Sequence, residues 1–365
     1  MIGFARMLKN GFEQTGHQVT ECHPRPFFGR FAKKQSFMGK WCAYADKYLR
    51  FPRQLRHQVC KWKTDLVHVC DHSNALYLPA IQELPHTITC HDVIAIRSGL
   101  GHFPQAQVGK LGKKLQSRIL ANLRTAEYVS CDSENSRGDL TELAPELANK
   151  SNVIHLGFNQ PMMPIEESVA RKLLREKLPA ATKSFILHVG NDAWYKNRMA
   201  VLGVFSLFRK RFGQPVQLAL VGPPLNKEQS SYAIREGFID EVIVVESSST
   251  EVLRALYSKA IALVFPSLYE GFGWPPLEAQ ACGCPVIASP LGSLSEILAN
   301  GGIIEHPDNL EAYASTLSRL ENDDVFRNQE ITKGHENAKR FDAQNTITAY
   351  LKTYEDILAR RKATP

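Results

Sequence analysis

Long apolar runs are missing from this chain of 365 residues. No stretch approaches the roughly 18 residues that a membrane span needs. The best one, Ala260 to Phe265, ends in a proline. The opening MIGFARMLKNGFEQ carries charges too early and too often for a signal-peptide core, so a cytoplasmic location is expected. Paired cysteines are missing as well. The eight cysteines (22, 42, 60, 70, 90, 131, 282 and 284) make no C-x-x-C pair and no zinc-ligand spacing, which argues for buried reduced thiols and against a disulfide framework. Cys282-Gly-Cys284 reads as small residues at a tight helix-to-strand junction in preference to a metal or redox pair. No D-x-D pair stands where a metal–diphosphate site belongs, so no metal ligand and no cofactor is assigned.

Acidic residues are scarce in one region. From Arg30 to Lys63 ten Lys or Arg (30, 33, 34, 40, 47, 50, 53, 56, 61 and 63) meet one acid, Asp46. Phe27, Phe28, Phe31, Phe37, Trp41, Tyr44, Tyr48, Phe51 and Trp62 are interleaved with them. The segment 27–63 reads as a solvated helix face with core aromatics, or as an interfacial surface for an anionic membrane at ~1 kcal/mol per basic residue. The second reading places the protein peripherally at the inner face of a membrane. No nucleic-acid-binding module accompanies the charge, and no nucleic-acid partner is assigned.

What remains is ordinary for a globular protein: 44% apolar and 22% charged residues. The length exceeds what one core organises, so two domains are expected. An opening helix from Ile2 to about Thr15 sets Phe4, Leu8 and Phe12 on one stripe. A strand is expected through Val19. Short apolar runs at Leu66–Val69, Thr87–Thr89, Tyr128–Ser130 and Val153–His155, separated by helical stretches, read as a first parallel α/β domain. A second series follows at Phe185–Val189, Leu218–Val221, Val242–Val245, Ile261–Phe265, Val286–Ala288 and Ile303–Ile304. Pro161-Met162-Met163-Pro164 breaks the pattern between them. The expected domains are 1–162 and 163–340, with a long amphipathic helix in 341–365.

The most informative stretch is LVFPSLYEGFGWPPLEAQACGCPVIASP, Leu263 to Pro290. A buried strand ending at Phe265 leads into a turn at Gly271-Phe272-Gly273, and Pro275 and Pro276 suit the first turn of a helix. Glu270 is expected on the loop and Glu278 in that first turn. Both would then stand at the carboxyl end of a parallel sheet, where open α/β folds bind ligands. An isolated E-x7-E is more often an acidic loop and a helix cap. Here the flanking P-S-x-Y-E-G-F-G, E-A-x-A-x-G and P-V-I accompany it. The stretch resembles the signature of retaining GT-B glycosyltransferases of family 4, the E-x7-E group 1 enzymes.

The resemblance implies two Rossmann-like domains facing across a cleft, with the last helix packing back on the first. It implies metal-independent transfer of a hexose, such as mannose, from a GDP- or UDP-hexose to a glycan or lipid-linked acceptor in surface polysaccharide synthesis. Glu270, with the Gly271, Phe272 and Gly273 backbone, would grip the hexose, and Glu278 the ribose. Lys196 and Asn197 match the family's K-N, where a lysine holds the diphosphate. Asn191 stands where an arginine is usual, and Arg198 is a possible substitute in the wrong register. His91, after the strand Thr87–Thr89, matches a histidine placed beside the donor sugar. His155 matches the hinge region. Ser133 and Arg137 match an S-x-x-S-R/K pattern, with a helix N-cap an equal account of Ser133. Such folds open with a strand and a glycine-rich loop. This chain opens on the helix, with Gly3 as the end of that loop, so the first strand is expected to be missing or encoded upstream. Two rivals are a degenerate, non-catalytic sugar-nucleotide-binding relative and an epimerase on the same scaffold.

Overall fold

The computed structural model describes residues 2–28, 37–175, 178, 184–212 and 216–363. Arg30, Phe31, Lys33 and Lys34 of the basic segment lie outside the described residues. The chain divides into two compact units, Met1–Asn159 with Ala343–Pro365, and Gln160–Asp342.

The first unit is built on four parallel strands: β1 (Val67–Val69), β2 (His86–Cys90), β3 (Val129–Cys131) and β4 (Ser151–Val153), in the spatial order β1-β2-β3-β4. Ile88 of β2 lies opposite Val129 of β3, and Val129 lies opposite Ser151 of β4. Every residue of β2 is buried, as befits a parallel strand covered on both faces. Ile88, Cys90 and Val129 join Ile96, Leu123 and Leu140 in one apolar cluster. No strand forms at Val19. His17–His23 offers only Val19 and Cys22 as apolar side chains, neither fully buried, and so has little to gain from joining a sheet.

The helix Ile2–Gln14 buries Phe4, Leu8 and Phe12, each worth about 1.5–3 kcal/mol of transfer free energy. They pack on the terminal helix Ala343–Ala363 through Phe4–Tyr350 and Phe12–Tyr354 ring contacts at 5.9 and 5.3 Å. Gly11 permits this approach, because a Cβ there would meet Ile347 Cδ1 at 2.1 Å. Tyr354 Oη also bonds His68 Nδ1 at 2.6 Å, and Arg361 pairs with Glu127 at 2.8 Å. The Thr346 hydroxyl accepts from Gly157 N and donates to the His155 carbonyl. The last helix is thus part of the first unit.

The second unit carries a six-stranded parallel sheet: β5 (Ser184–Val189), β6 (Val216–Val221), β7 (Val242–Val245), β8 (Leu263–Phe265), β9 (Val286–Ala288) and β10 (Ile303–Ile304). Their spatial order is β10-β9-β8-β5-β6-β7. The chain builds outward from β5 through β6 to β7, then returns to place β8 on the other side of β5. The order therefore reverses between β5 and β8, the kind of position at whose carboxyl end open α/β sheets bind ligands. Ile186, Leu218, Val264 and Ile287 of the sheet pack with Phe205, Phe208 and Tyr313 from the covering helices.

Candidate functional site

The loops after β5 and β8 hold the residues singled out above, and they meet. Lys196 Nζ donates to Glu270 Oε1 at 2.7 Å, with 12% and 8% of the two side chains exposed. The ammonium also lies 4.9 Å from the Phe265 ring centre. Two further bonds join the loops: Leu268 N donates to the Tyr195 carbonyl at 2.7 Å, and Asn197 Nδ2 to the Pro266 carbonyl at 3.1 Å.

Local backbone explains the placement of Lys196. Trp194–Lys196 is a single tight turn of its own, separated from the helix Arg198–Phe212 by Asn197 at φ 52°. Lys196 thus precedes the long helix instead of lying within it. Asn tolerates the left-handed conformation, and the Asn197 carbonyl accepts from Ala200 N at 3.0 Å at the helix start.

Glu270 is held by a residue that the sequence reading missed. Gly292, in the loop after β9, has φ 66°, and a Cβ there would lie 2.5 Å from Glu270 N and 2.6 Å from Glu270 O. Ser293 N then donates to the Glu270 carbonyl at 3.1 Å. The glycine in Pro290-Leu-Gly-Ser was the available signal, but nothing local to it names Glu270, 22 positions earlier.

Gly271, Phe272 and Gly273 are buried, and the helix Trp274–Ala281 follows with Gly273 as its cap at φ 100°. Glu278 sits in the second turn of this helix, a correction to the first-turn expectation. The helix starts at Trp274, so the prolines occupy its second and third positions. Glu278 Oε2 accepts from Tyr257 Oη at 3.1 Å. Burial pushes the Glu278 carboxyl up to about 7, with the tyrosine hydrogen bond pulling the other way. It is therefore partly protonated at neutral pH.

Asn191 is exposed, and its Oδ1 accepts from Ala193 N at 3.1 Å in a local turn. Arg198 is no surface substitute for the arginine expected there. Its side chain is 2% exposed, Nη1 donates to the Pro223 carbonyl at 3.0 Å, and Asp192 lies 3.8 Å away. Beside it His188 is buried, Nδ1 bonded to the Val264 carbonyl at 3.0 Å. Burial, with Arg198 and Lys196 nearby, pulls His188 down to about 4, so it is neutral. Cys282 and Cys284 are buried thiols pushed up to about 12 by desolvation, and neither ionises near neutral pH.

His91 belongs to the first unit. Nδ1 lies 2.6 Å from Asp132 Oδ2, and Nε2 lies 3.0 Å from the Cys70 carbonyl. Burial, the largest effect, works against its charge. The Asp132 carboxylate and the Cys70 carbonyl outweigh it and raise His91 to about 9. Gly3 lies in the first turn of its helix, with the Asn159 amide 2.8 Å from where a Cβ would stand. Ser133 caps the helix Glu134–Leu143 by accepting from Ser136 N at 3.0 Å, and Arg137 bonds Ser151 Oγ and the Ala148 carbonyl.

An ammonium and a carboxylate from two loops at a switch point suit a ligand with an anionic and a hydroxylated end. Residues 170–339 match the family of glycosyl transferases group 1. This second unit belongs to the group 1 glycosyl transferases. O-antigen chain mannosyltransferase B of Escherichia coli is 26% identical over 289 residues, 78% of this chain and 73% of that protein. Two solved structures share the fold. Sucrose-phosphate synthase from Thermosynechococcus elongatus matches with a TM-score of 0.75 at 21% identity over 98% of this chain and 93% of that one. Anabaena Alr3699/HepE in complex with UDP-glucose matches with 0.69 at 19% identity over 95% and 88%. Among the described residues no helix is long and apolar enough to cross a membrane.

Proposed function

We propose that this glycosyltransferase moves a hexose, mannose first among candidates, from a GDP- or UDP-hexose to a glycan or lipid-linked acceptor in surface-polysaccharide assembly, lipopolysaccharide included. Retention of configuration, independence of metal and membership of family 4 are part of the proposal. The Lys196–Glu270 pair at the β5/β8 switch point carries it. The names of relatives support the choice of donor and product: one is an O-antigen chain mannosyltransferase, and a structural neighbour holds UDP-glucose.

The chemistry follows from the charges. Leaving-group departure puts negative charge on the diphosphate and positive charge on the sugar ring. Lys196 stands to meet the diphosphate, which frees the Glu270 carboxylate for hexose hydroxyls. Fixed donors of this kind are each worth about 10²–10³ in rate. The Gly271–Gly273 backbone lines the hexose, Glu278 takes the ribose hydroxyls, and Asn191 and Asn197 flank the phosphates. His91, protonated at neutral pH, acts as a donor once Nε2 exchanges the Cys70 carbonyl for substrate.

One observation favours a second reading, a relative that binds sugar nucleotides without transfer: Asn191 replaces an expected cation and turns its oxygen into its own loop. A single experiment separates the two. Glu270→Ala should abolish hexose transfer while circular dichroism stays native. Near-normal turnover in that variant removes Glu270 from the mechanism. Tight donor binding with no turnover in the wild type selects the binding-only reading. The basic, aromatic segment 27–63 places the enzyme at the inner face of an anionic membrane in this proposal.

A further inference from the structure

All five exposed aromatic side chains among the described residues lie in one short segment: Phe27, Phe28, Trp41, Tyr44 and Trp62. Single exposed apolar residues are normal on a protein surface, but such a concentration marks an interaction site. The segment is not a core gone astray. Its helix Phe51–Trp62 buries Phe51, Leu55 and Val59 on the other face.

A buried acid anchors the backbone that carries two of these rings. Asp46, buried in a wide helical turn at Asp46–Arg50, accepts from Phe27 N at 2.9 Å and Phe28 N at 3.1 Å. Arg50 lies 4.4 Å over the Phe27 ring. The one acid between Arg30 and Lys63 is therefore engaged by backbone, and the charge left to the surface is basic. Phe27, Phe28, Trp41 and Leu49, with Arg50 and Arg53, line an open groove of about 850 Å³, within the ~300–1,000 Å³ typical of small-molecule sites. A purely apolar ligand does not call for two guanidinium groups, and a free phosphate does not call for three aromatic rings.

We propose that this groove takes a hydrocarbon chain of an anionic bilayer lipid while Arg50 and Arg53 hold its phosphate. The proposal deepens the membrane attachment named above and rests on that reading. Sugar transfer does not depend on it, and the Glu270→Ala assay judges that separately.

The test uses the full chain and vesicles of phosphatidylcholine with or without phosphatidylglycerol, carrying bromine on the acyl chains. Trp41 emission should be quenched on the anionic vesicles alone, and Trp41→Phe should remove that quenching, which separates it from Trp62, Trp194 and Trp274. Arg50→Gln with Arg53→Gln should weaken vesicle binding roughly 30-fold, from ~1 kcal/mol per basic residue. Vesicle binding without Trp41 quenching overturns the groove. Equal quenching on neutral vesicles overturns the role of the arginines. A Trp41 response to inorganic phosphate alone overturns the lipid as occupant, and no vesicle binding at all overturns the docking surface.

Discussion

Residues 263–290 and residues 27–62 both set aromatic side chains beside charge, and they do opposite things with them. In the first, Phe265 and Phe272 are buried, and the charge at Glu270 is matched by Lys196 at 2.7 Å. In the second, the rings at Phe27, Phe28 and Trp41 stay out, and the charge is of one sign with its lone acid turned inward. Order distinguishes them. The first has glycines, prolines and glutamates at positions that each dictate a backbone angle or a contact. The second is described by its composition, and composition specifies a surface without specifying a geometry.

Substitutions should sharpen that contrast, and the largest effect belongs to the paired charge. Lys196→Met is expected to lower kcat about 10²–10³-fold in a nucleotide-sugar transfer assay. A comparable loss from a basic residue of 27–62, with a water-soluble acceptor, would erase the distinction between the two segments. Next comes the clamp behind Glu270. Gly292→Ala places a Cβ against the Glu270 peptide at positive φ and should destabilise the fold by about 1–3 kcal/mol, read as a shifted denaturant midpoint. An unchanged midpoint would mean that the loop after β9 does not fix Glu270.

In the first unit Gly11→Ala sets a Cβ against Ile347, 2.1 Å from Cδ1 and 2.5 Å from Cγ1. Overpacking at about 1–3 kcal/mol is offset by ~1 kcal/mol of helix propensity, so a net loss of about 1 kcal/mol is expected. A gain in stability would show that the two helices part easily. The smallest effect is in pH. Glu278 is raised to about 7 by burial, so its contribution to stability is full below about 4.5 and lost as pH rises through about 7. Donor affinity should run the other way and rise with pH, because the carboxylate accepts ribose hydroxyls better than the acid. Tyr257→Phe removes the hydrogen bond that favours the charged form, so the midpoint of donor binding should move to higher pH.

Much of the fold was legible because buried parallel strands read as apolar runs. All six strands of the second unit and three of the four in the first fall on such runs, which the covered faces of a parallel sheet favour; the fourth, Ser151–Val153, meets its expected run only at Val153. The opening helix was legible from Phe4, Leu8 and Phe12, and the terminal helix from Ile347, Tyr350 and Ile357. Val19 misled for the opposite reason, a β-branched residue with no apolar company. Lys196, Glu270 and Glu278 could be named from the resemblance of their surrounding motifs to those of the family. Gly292 could not, since its partner is brought to it only by the placement of β8 beside β9. The burial of Arg198 was equally hidden, because a basic residue after Lys196 and Asn197 reads as exposed until the Pro223 carbonyl is seen beside it. The inward turn of Asp46 is likewise a contact across 18 and 19 positions that no local pattern announces.

The central claim, that Lys196 on the loop after β5 holds the diphosphate of a sugar nucleotide, is tested most directly by calorimetric titration of GDP and UDP. Wild type and Lys196→Met should be compared at one salt concentration. The expected result is binding of at least one nucleotide by the wild type, weakened roughly 10–100-fold in the variant by loss of a charge-assisted contact. Equal affinities in the two proteins, or no binding of either nucleotide, would contradict it.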